Sequence, residues 1–469
     1  MYSTPGVYIE ELKGLSLSVP SGETAVPVFI GTFKKRKASD PRPCVAIHSW
    51  LDFTAAFEAT TKVRVELNNK LLTEFAKNKK FDTGDYASLV KELTANYSAL
   101  ALQHYFHNGG GACYLLPLAD DVDAKGVAQL SAEIEKYPDI TLLVCAQPDA
   151  SMPPNGKKPA IYAALGPLLA KDKNKGYFLI ADSDDGKTVP DTEAEQTAVY
   201  YPAIETTLRH LRPADAEIAI TFAGGDGKVE EGTFEKFPPK DEGEAKLEEV
   251  ETLAGLQQHW PELYRSISEA IDARIAALEP VVLPPSAAVA GAYASTDRAR
   301  GVWKAPANVP LKGVNTLTTL VSDDEQGEKN LKGINVIRHF TDRGPLIWGT
   351  RTLAVASDEW RYVPVRRLFN AVQRDVKAAM RAVVFEPNSQ ATWAKAKGAI
   401  ESYLTKLWRN GALAGNKESE AFFVQVGEGV TMSSDDIKQG HMIIKIGLAA
   451  VRPAEFIILQ FTQEVGASA

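Results

Sequence analysis

The chain reads as an α/β domain followed by an α+β domain, with an extended arm ahead of both. Three observations predict this. Short apolar runs alternate with helical patterns over the first two thirds, as in a mostly parallel sheet. The last third carries two long amphipathic helical patterns and then strand-like runs. The first twenty residues hold one β-prone stretch that is too short to bury itself. The boundaries expected are an arm at 1–22, an α/β domain at 23–355 and an α+β domain at 356–469, and 469 residues suit two to four domains.

Composition excludes several classes. Hydrophobic residues are 45% and charged residues 24%, which fits neither a disordered chain nor a collagen. Lys and Arg total 52 against 60 Asp and Glu, a net charge of −8 that makes a poor general nucleic-acid binder. No apolar run approaches the ~20 residues of a membrane helix, so no direct membrane insertion is expected. Met1–Gly6 does not begin a basic region with an apolar core behind it, so no secretory signal is expected. Cys44, Cys113 and Cys145 are scattered and odd in number, which suggests reduced, buried thiols.

The elements follow in order. Pro5–Leu12 is a lone strand that needs a partner sheet in its own chain or another. Residues 26–33 are a buried strand, and Lys34-Lys35-Arg36-Lys37 after it reads as a solvated loop, with phosphate binding as the alternative. Residues 58–100, rich in Lys and Glu, look helical and exposed. A helix over 101–111 stops at Asn108-Gly109-Gly110-Gly111 before a strand at Cys113–Leu116. Ile140–Cys145, Tyr177–Ile180 and Ile218–Phe222 are further strands, and Ala160–Ala170 is a helix with a kink expected at Gly166-Pro167. Residues 226–251 hold ten acidic and four basic residues and read as an exposed insertion.

In the last third, Tyr362, Val365, Leu368, Phe369, Val372, Val376, Met380 and Val383 form one helical face. A second helix over 391–410 turns Trp393, Ala396, Ile400, Leu404 and Leu407 inward. Strands at Phe422–Val426, Met442–Ala450 and Ala454–Gln463 complete the chain.

Catalytic and cofactor motifs are missing. Ala181–Thr188 ends in Gly-Lys-Thr like a phosphate loop, but it lacks the first glycine and puts three aspartates where phosphate oxygens would lie. His104, His107 and Cys113 have ligand-like spacing without an evident fourth ligand, and exposed or capping histidines are the expectation. No nucleophile elbow, HExxH or dinucleotide glycine motif occurs. No catalytic residue, cofactor or metal is therefore expected.

Seven blocks in sequence order resemble contractile tail sheath proteins of phages and phage-like injection particles. They are Thr4–Glu11; Tyr105–Tyr114; Pro284–Ala294 running into Thr296–Asn308; Gly349–Leu353; Trp360–Leu368; Phe385-Glu386-Pro387-Asn388 before Thr392-Trp393; and Val451–Phe456. Residues 58–100 and 224–280 have no counterpart, so they are variable insertions on this reading. The resemblance implies a structural, non-enzymatic subunit of stacked six-membered rings around an inner tube. Contraction of the lattice would drive the tube through a target envelope. Partners would be further copies, the inner tube, baseplate and terminator or cap proteins, and sheath paralogues. Assembly would be in the bacterial cytoplasm, within a phage tail or a released extracellular particle. The competing readings are an enzyme on the α/β domain and a monomeric binding module.

Candidate residues follow from both readings. Pro5, Gly6, Val7, Tyr8, Ile9 and Glu10 form an intersubunit arm, tethered through Gly14, Pro20 and Gly22. Ile444, Ile446, Phe456 and Ile458 mark C-terminal strands suited to β-augmentation between subunits. Residues 331–410 carry fourteen Lys and Arg against six Asp and Glu, a net of +8, so this inner-layer region is expected to face a more acidic tube. Lys395, Lys406 and Arg409 lie off the apolar stripe and are the candidate tube contacts. Arg361, Arg366 and Arg367 crowd a helix N-terminus, which is mildly unfavourable and calls for carboxylate partners, within the chain or, as the alternative, on a neighbour.

Overall fold

The structure is a computed structural model that describes residues 17–36, 43–118, 124–146, 157–170, 175–223, 234–238 and 246–456. The chain divides into two compact units. One holds residues 25–299 and 306–363; the other holds 300–305, the chain from 364 onward and the segment up to Thr24.

The larger unit is built on a nine-stranded sheet. Six strands run parallel, in the order Cys113–Pro117, Pro27–Gly31, Leu142–Cys145, Phe178–Asp182, Thr197–Tyr201 and Ile334–Phe340. Val45–Ile47 closes one edge antiparallel, and Gly344–Ile347 with Val309–Pro310 closes the other. Period-2 alternation sends side chains to two separate cores. Phe29, Leu115, Val144, Phe178, Ile180 and Tyr200 face helices Tyr97–His107 and Ser286–Arg300. Val28, Ile30, Leu116, Leu143, Leu179 and Val199 face the opposite layer, where helix Lys157–Leu169 continues through Pro167. With both faces covered, the strands are apolar throughout, as parallel strands are.

The alanine-rich helix Ser286–Arg300 lies deep in this core because small side chains allow close approach. A Cβ on Gly291 would overlap the Tyr105 carbonyl and stand 2.9 Å from the Asn108 Cβ. The hydroxyls of Tyr200 and Tyr293 meet at 2.6 Å in the same layer. Gly349–Leu353 pairs with Trp360–Val363 through Thr352 N to Arg361 O (2.8 Å) and Val363 N to Thr350 O (3.0 Å). Asn335, fully buried, clasps the Arg351 backbone with both ends of its amide.

The segments expected to be exposed insertions are not loose decoration. Lys62–Asn68 is a strand flanked by Val90–Thr94 and Ala219–Ala223. Helices Asn69–Asn78, Leu253–His259 and Pro261–Ala276 join it around a third core of Val63, Val65, Leu67, Phe75, Trp260 and Ile271. Phe237, Leu247 and Val250 of the acidic stretch are buried in this core; 224–233 and 239–245 lie outside the described residues. The charges are the outer face of an alternating pattern (Lys62, Arg64, Glu66 against Val63, Val65, Leu67).

The smaller unit pairs helix Val363–Met380 with helix Gln390–Arg409 over Leu368, Val372, Val376, Ile400, Leu404 and Leu407. Each such burial stabilises by roughly 1.5–3 kcal/mol. Pro364 falls in the first turn, where its missing N–H has no intrahelical acceptor. Phe422–Gln425 and Lys445–Leu448 form a two-stranded antiparallel sheet beside them. Of the third expected C-terminal strand, 454–456 carries no strand assignment among the described residues, and 457–463 lies outside them.

Candidate assembly surfaces

The phosphate-loop lookalike is structural. The Asp182 Oδ1 accepts the Ser286 N–H at 2.8 Å and Oδ2 accepts its hydroxyl at 2.8 Å, so this aspartate caps the central helix. Lys158 stands 3.4 Å from Asp182 and 2.8 Å from Asp184, with its side chain buried. Burial pushes the Asp182 carboxyl up, and Lys158 and then Ser286 pull it back. Asp185 accepts from the backbone of Thr188 and Lys187 and from the Thr188 hydroxyl, which holds its carboxyl well below the usual range. Asp185 thus turns the loop on itself, while Lys158 pairs with Asp182 and Asp184.

The other chemical candidates resolve the same way. Lys34 pairs with Glu58 at 3.0 Å and Arg36 with Glu217 at 2.7 Å, so two of the basic quartet meet carboxylates of their own chain. His104 is not exposed or capping; it is a core residue whose Nε2 donates to the Lys312 carbonyl at 2.8 Å. Burial lowers its pKa to about 4. No group of three potential ligands that could hold a metal occurs among the described residues. None of the three cysteines is in a disulfide and all are buried, and burial pushes the Cys44 thiol up to about 12. No described helix is long and apolar enough to cross a membrane.

The smaller unit carries the assembly candidates. Pro5, Gly6, Val7, Tyr8, Ile9, Glu10, the tether residue Gly14 and Ile458 lie outside the described residues. The segment from Leu17 to Thr24 is held to the unit's helices. Gly22 N–H donates to Asp375 Oδ1 at 3.1 Å, and the other carboxylate oxygen accepts the Tyr403 hydroxyl at 2.8 Å. Arg374 donates to the Glu23 carbonyl at 2.6 Å and Arg367 to that of Thr24 at 3.1 Å. Val19 packs on the core. Gly22 is therefore an anchor point, contrary to its expected place in a flexible tether. Sequence reasoning missed this clamp, although Asp375 sits seven residues after Leu368 on the apolar stripe. An acid there signals a buried acceptor.

Ile446 lies in the two-stranded sheet opposite Val424, and Ile444 precedes that strand; both side chains pack half-buried on their own unit's core. Phe456 is exposed. Lys395, Lys406 and Arg409 all lie on helix Gln390–Arg409 and are exposed. Arg361 finds a carboxylate within the chain, Asp358 at 3.0 Å. Arg366 and Arg367 are buried; Arg366 donates to Asn370 Oδ1 at 3.0 Å beneath the Phe369 ring.

Comparison with known proteins agrees with this architecture. The phage tail sheath protein central domain matches residues 170–353 and the phage tail sheath C-terminal domain matches residues 355–464. The helical sheath of the anti-feeding prophage in its contracted state is 39% identical, over 99% of this chain and 100% of that one, with a TM-score of 0.69. The sheath complex of the PVC extracellular contractile injection system, also contracted, is 34% identical over 99% of both chains, with a TM-score of 0.63. The tail sheath protein of Vibrio phage KVP40 is 29% identical over 128 residues, 27% of this chain and 19% of that protein, so the match spans about a fifth of this curated relative's length. A sheath fold shared along the whole chain and two sheath domains in sequence lead to one conclusion: the chain is a structural protein of the contractile tail sheath family.

Proposed function

We propose that the chain polymerises as stacked hexameric rings around an inner tube and shortens as a lattice to drive that tube into a target envelope. The observation that carries this reading is the two-stranded sheet of the smaller unit. Among the described residues its strands have only each other as sheet partners. Unpaired edges are an aggregation liability in a monomer and a joint in a polymer. The arm from Pro5 to Glu10 is suited to such an edge by backbone pairing, and the clamp at Asp375 fixes the point from which it leaves. Since Ile444 and Ile446 pack inward, pairing there would run through the backbone.

The contracted helical sheath and sheath complex among the relatives support the same polymer for this chain, and the anti-feeding prophage baseplate structure, whose matched chain is 39% identical, supports a baseplate as partner. Lys395, Lys406 and Arg409 are proposed to meet an acidic tube. Exposed ion pairs contribute only about 0–1 kcal/mol each, which suits a contact that must release on firing. The test combines K395E, K406E and R409E in one chain. Tube-loaded sheaths should fail to form while tube-free polymer persists. Normal tube loading would remove the basic face from the mechanism. Deleting residues 1–16 should separately leave folded subunits that form no cylinders by negative-stain microscopy, and intact cylinders would refute the arm.

A further inference from the structure

The layer built on Lys62–Asn68, Val90–Thr94 and Ala219–Ala223 has a core of its own, and the chain passes four times between it and the main sheet. The connections are 57–61, 95–96, 207–217 and 277–281. They are tied to one another. Thr61 N–H donates to the Leu211 carbonyl at 2.8 Å, and Asn96 Nδ2 donates to the Glu58 carbonyl at 2.8 Å. His210 N–H donates to Glu279 Oε1 at 3.1 Å. Thr206 N–H, just ahead of the third connection, donates to the Val281 carbonyl at 2.8 Å. Four connections held in this way make a neck.

His210 is buried in that neck, 7% exposed, with its ring edge-on to Tyr97 at 5.8 Å between centroids. Neither ring nitrogen has a well-formed hydrogen bond, and the Thr61 hydroxyl is buried without one as well. Unpaired buried polar groups are rare, and here two residues of one neck carry them. Two titratable groups face the ring: Tyr97 from the helix after the second connection, and Glu279 from the fourth. On the first connection, Glu58 is paired with Lys34 at 3.0 Å. On the third, Arg212 is paired with Asp215 at 2.8 Å and with Asp272 at 3.0 Å, and Arg209 is exposed. Burial foremost holds the His210 pKa below the ordinary 6.5, against the pull of Glu279 and the Leu278 carbonyl.

We propose that this neck is an acid-sensitive hinge, in which protonation of His210 loosens the four connections and frees the three-stranded layer to move as one body against the main sheet. The imidazolium has two N–H donors to satisfy where the neutral ring has one. Glu279 is the acceptor within reach, and turning it to the ring withdraws it from the His210 N–H, which unties the third connection from the fourth. The remaining donor then needs water, which enters only if the neck opens. The layer moves without unfolding because Leu67, Phe75, Trp260 and Ile271 bury one another within it. The sign follows from linkage. With a folded pKa below 6.5, the neck is fully closed above 6.5 and loses stability as pH falls through the interval between 6.5 and the folded value.

The test is amide hydrogen exchange of the full-length chain at pH 7, 6 and 5, corrected for intrinsic rates. The Thr61, His210 and Thr206 amides each donate across or beside the neck. Their corrected exchange should accelerate by at least about fivefold from pH 7 to pH 5, while amides in the main-sheet strands and in the layer's own core hold steady. His104, with a pKa of about 4, stays largely neutral over this range. In H210F the ring contact with Tyr97 is kept and the proton site is gone, so the acceleration should vanish. Exchange at the neck that is independent of pH in the wild type overturns the hinge, as does an undiminished acceleration in H210F. Equal acceleration in the main-sheet strands also overturns it, since that is general acid destabilisation. Should H210F already exchange fast at pH 7, the His210 titration read by NMR of ring-labelled histidine decides: a midpoint below 6.5 supports the hinge, and one at or above 6.5 rejects it.

Discussion

Replacing Asp375 by alanine tests the clamp that holds Gly22 to the helices of the smaller unit. The carboxylate is buried, with one oxygen on the Gly22 N–H and the other on the Tyr403 hydroxyl. Hydrogen bonds to a charged group contribute about 1.5–3 kcal/mol each. Desolvation of the carboxylate offsets part of this: burial foremost holds its pKa above the ordinary 3.8, despite the Tyr403 and Gly22 bonds. A net loss of about 1–3 kcal/mol in local stability is expected, equal to a factor of roughly 5–150 in the opening equilibrium. Amide hydrogen exchange at Gly22 should accelerate by that factor while the cores elsewhere keep their protection. Y403F removes one of the two bonds and should give a smaller acceleration at Gly22. The pH dependence has a definite sign. A carboxyl with a raised folded pKa contributes most below 3.8 and loses that contribution as pH rises through the folded value. The stability gap between wild type and D375A should therefore narrow from acid toward neutral pH. Gly22 exchange within twofold of wild type in D375A would refute the clamp.

Two further outcomes follow from the larger unit. G291A should destabilise it in urea denaturation by about 1–3 kcal/mol, because overlap with the Tyr105 backbone outweighs the roughly 1 kcal/mol of helix propensity gained over glycine. His104, held neutral by burial with a pKa of about 4 against an ordinary 6.5, makes stability fall as pH drops through that window. The loss should reach about 2–3 kcal/mol by pH 4, and H104Q should flatten the profile. A wild-type profile already flat over that window would show that His104 is protonated in the folded chain.

The strands that alternate with helices were readable because a parallel sheet covered on both faces needs short, wholly apolar runs. Pro27–Gly31, Leu142–Cys145 and Phe178–Asp182 are such runs. The two C-terminal helices were readable because one stripe, Leu368 to Val376 and Ala396 to Leu407, carries their burial. The pairing of Lys62–Asn68 with Ala219–Ala223 was not readable, since the partners stand about 150 residues apart in sequence and neither names the other. The charged outer face of that layer masked its alternation and suggested loose insertions.

The sequence by itself determined the family, most strands of the parallel sheet, the two C-terminal helices and the exposure of Lys395, Lys406 and Arg409, because local periodicity and motif order suffice for these. Only the tertiary structure decided that Asp375 binds Gly22, that Asp182 caps the helix beginning at Ser286, and that His104 is buried in the core. Each of these depends on which distant groups share a low-dielectric site. That information arises only when the chain closes on itself.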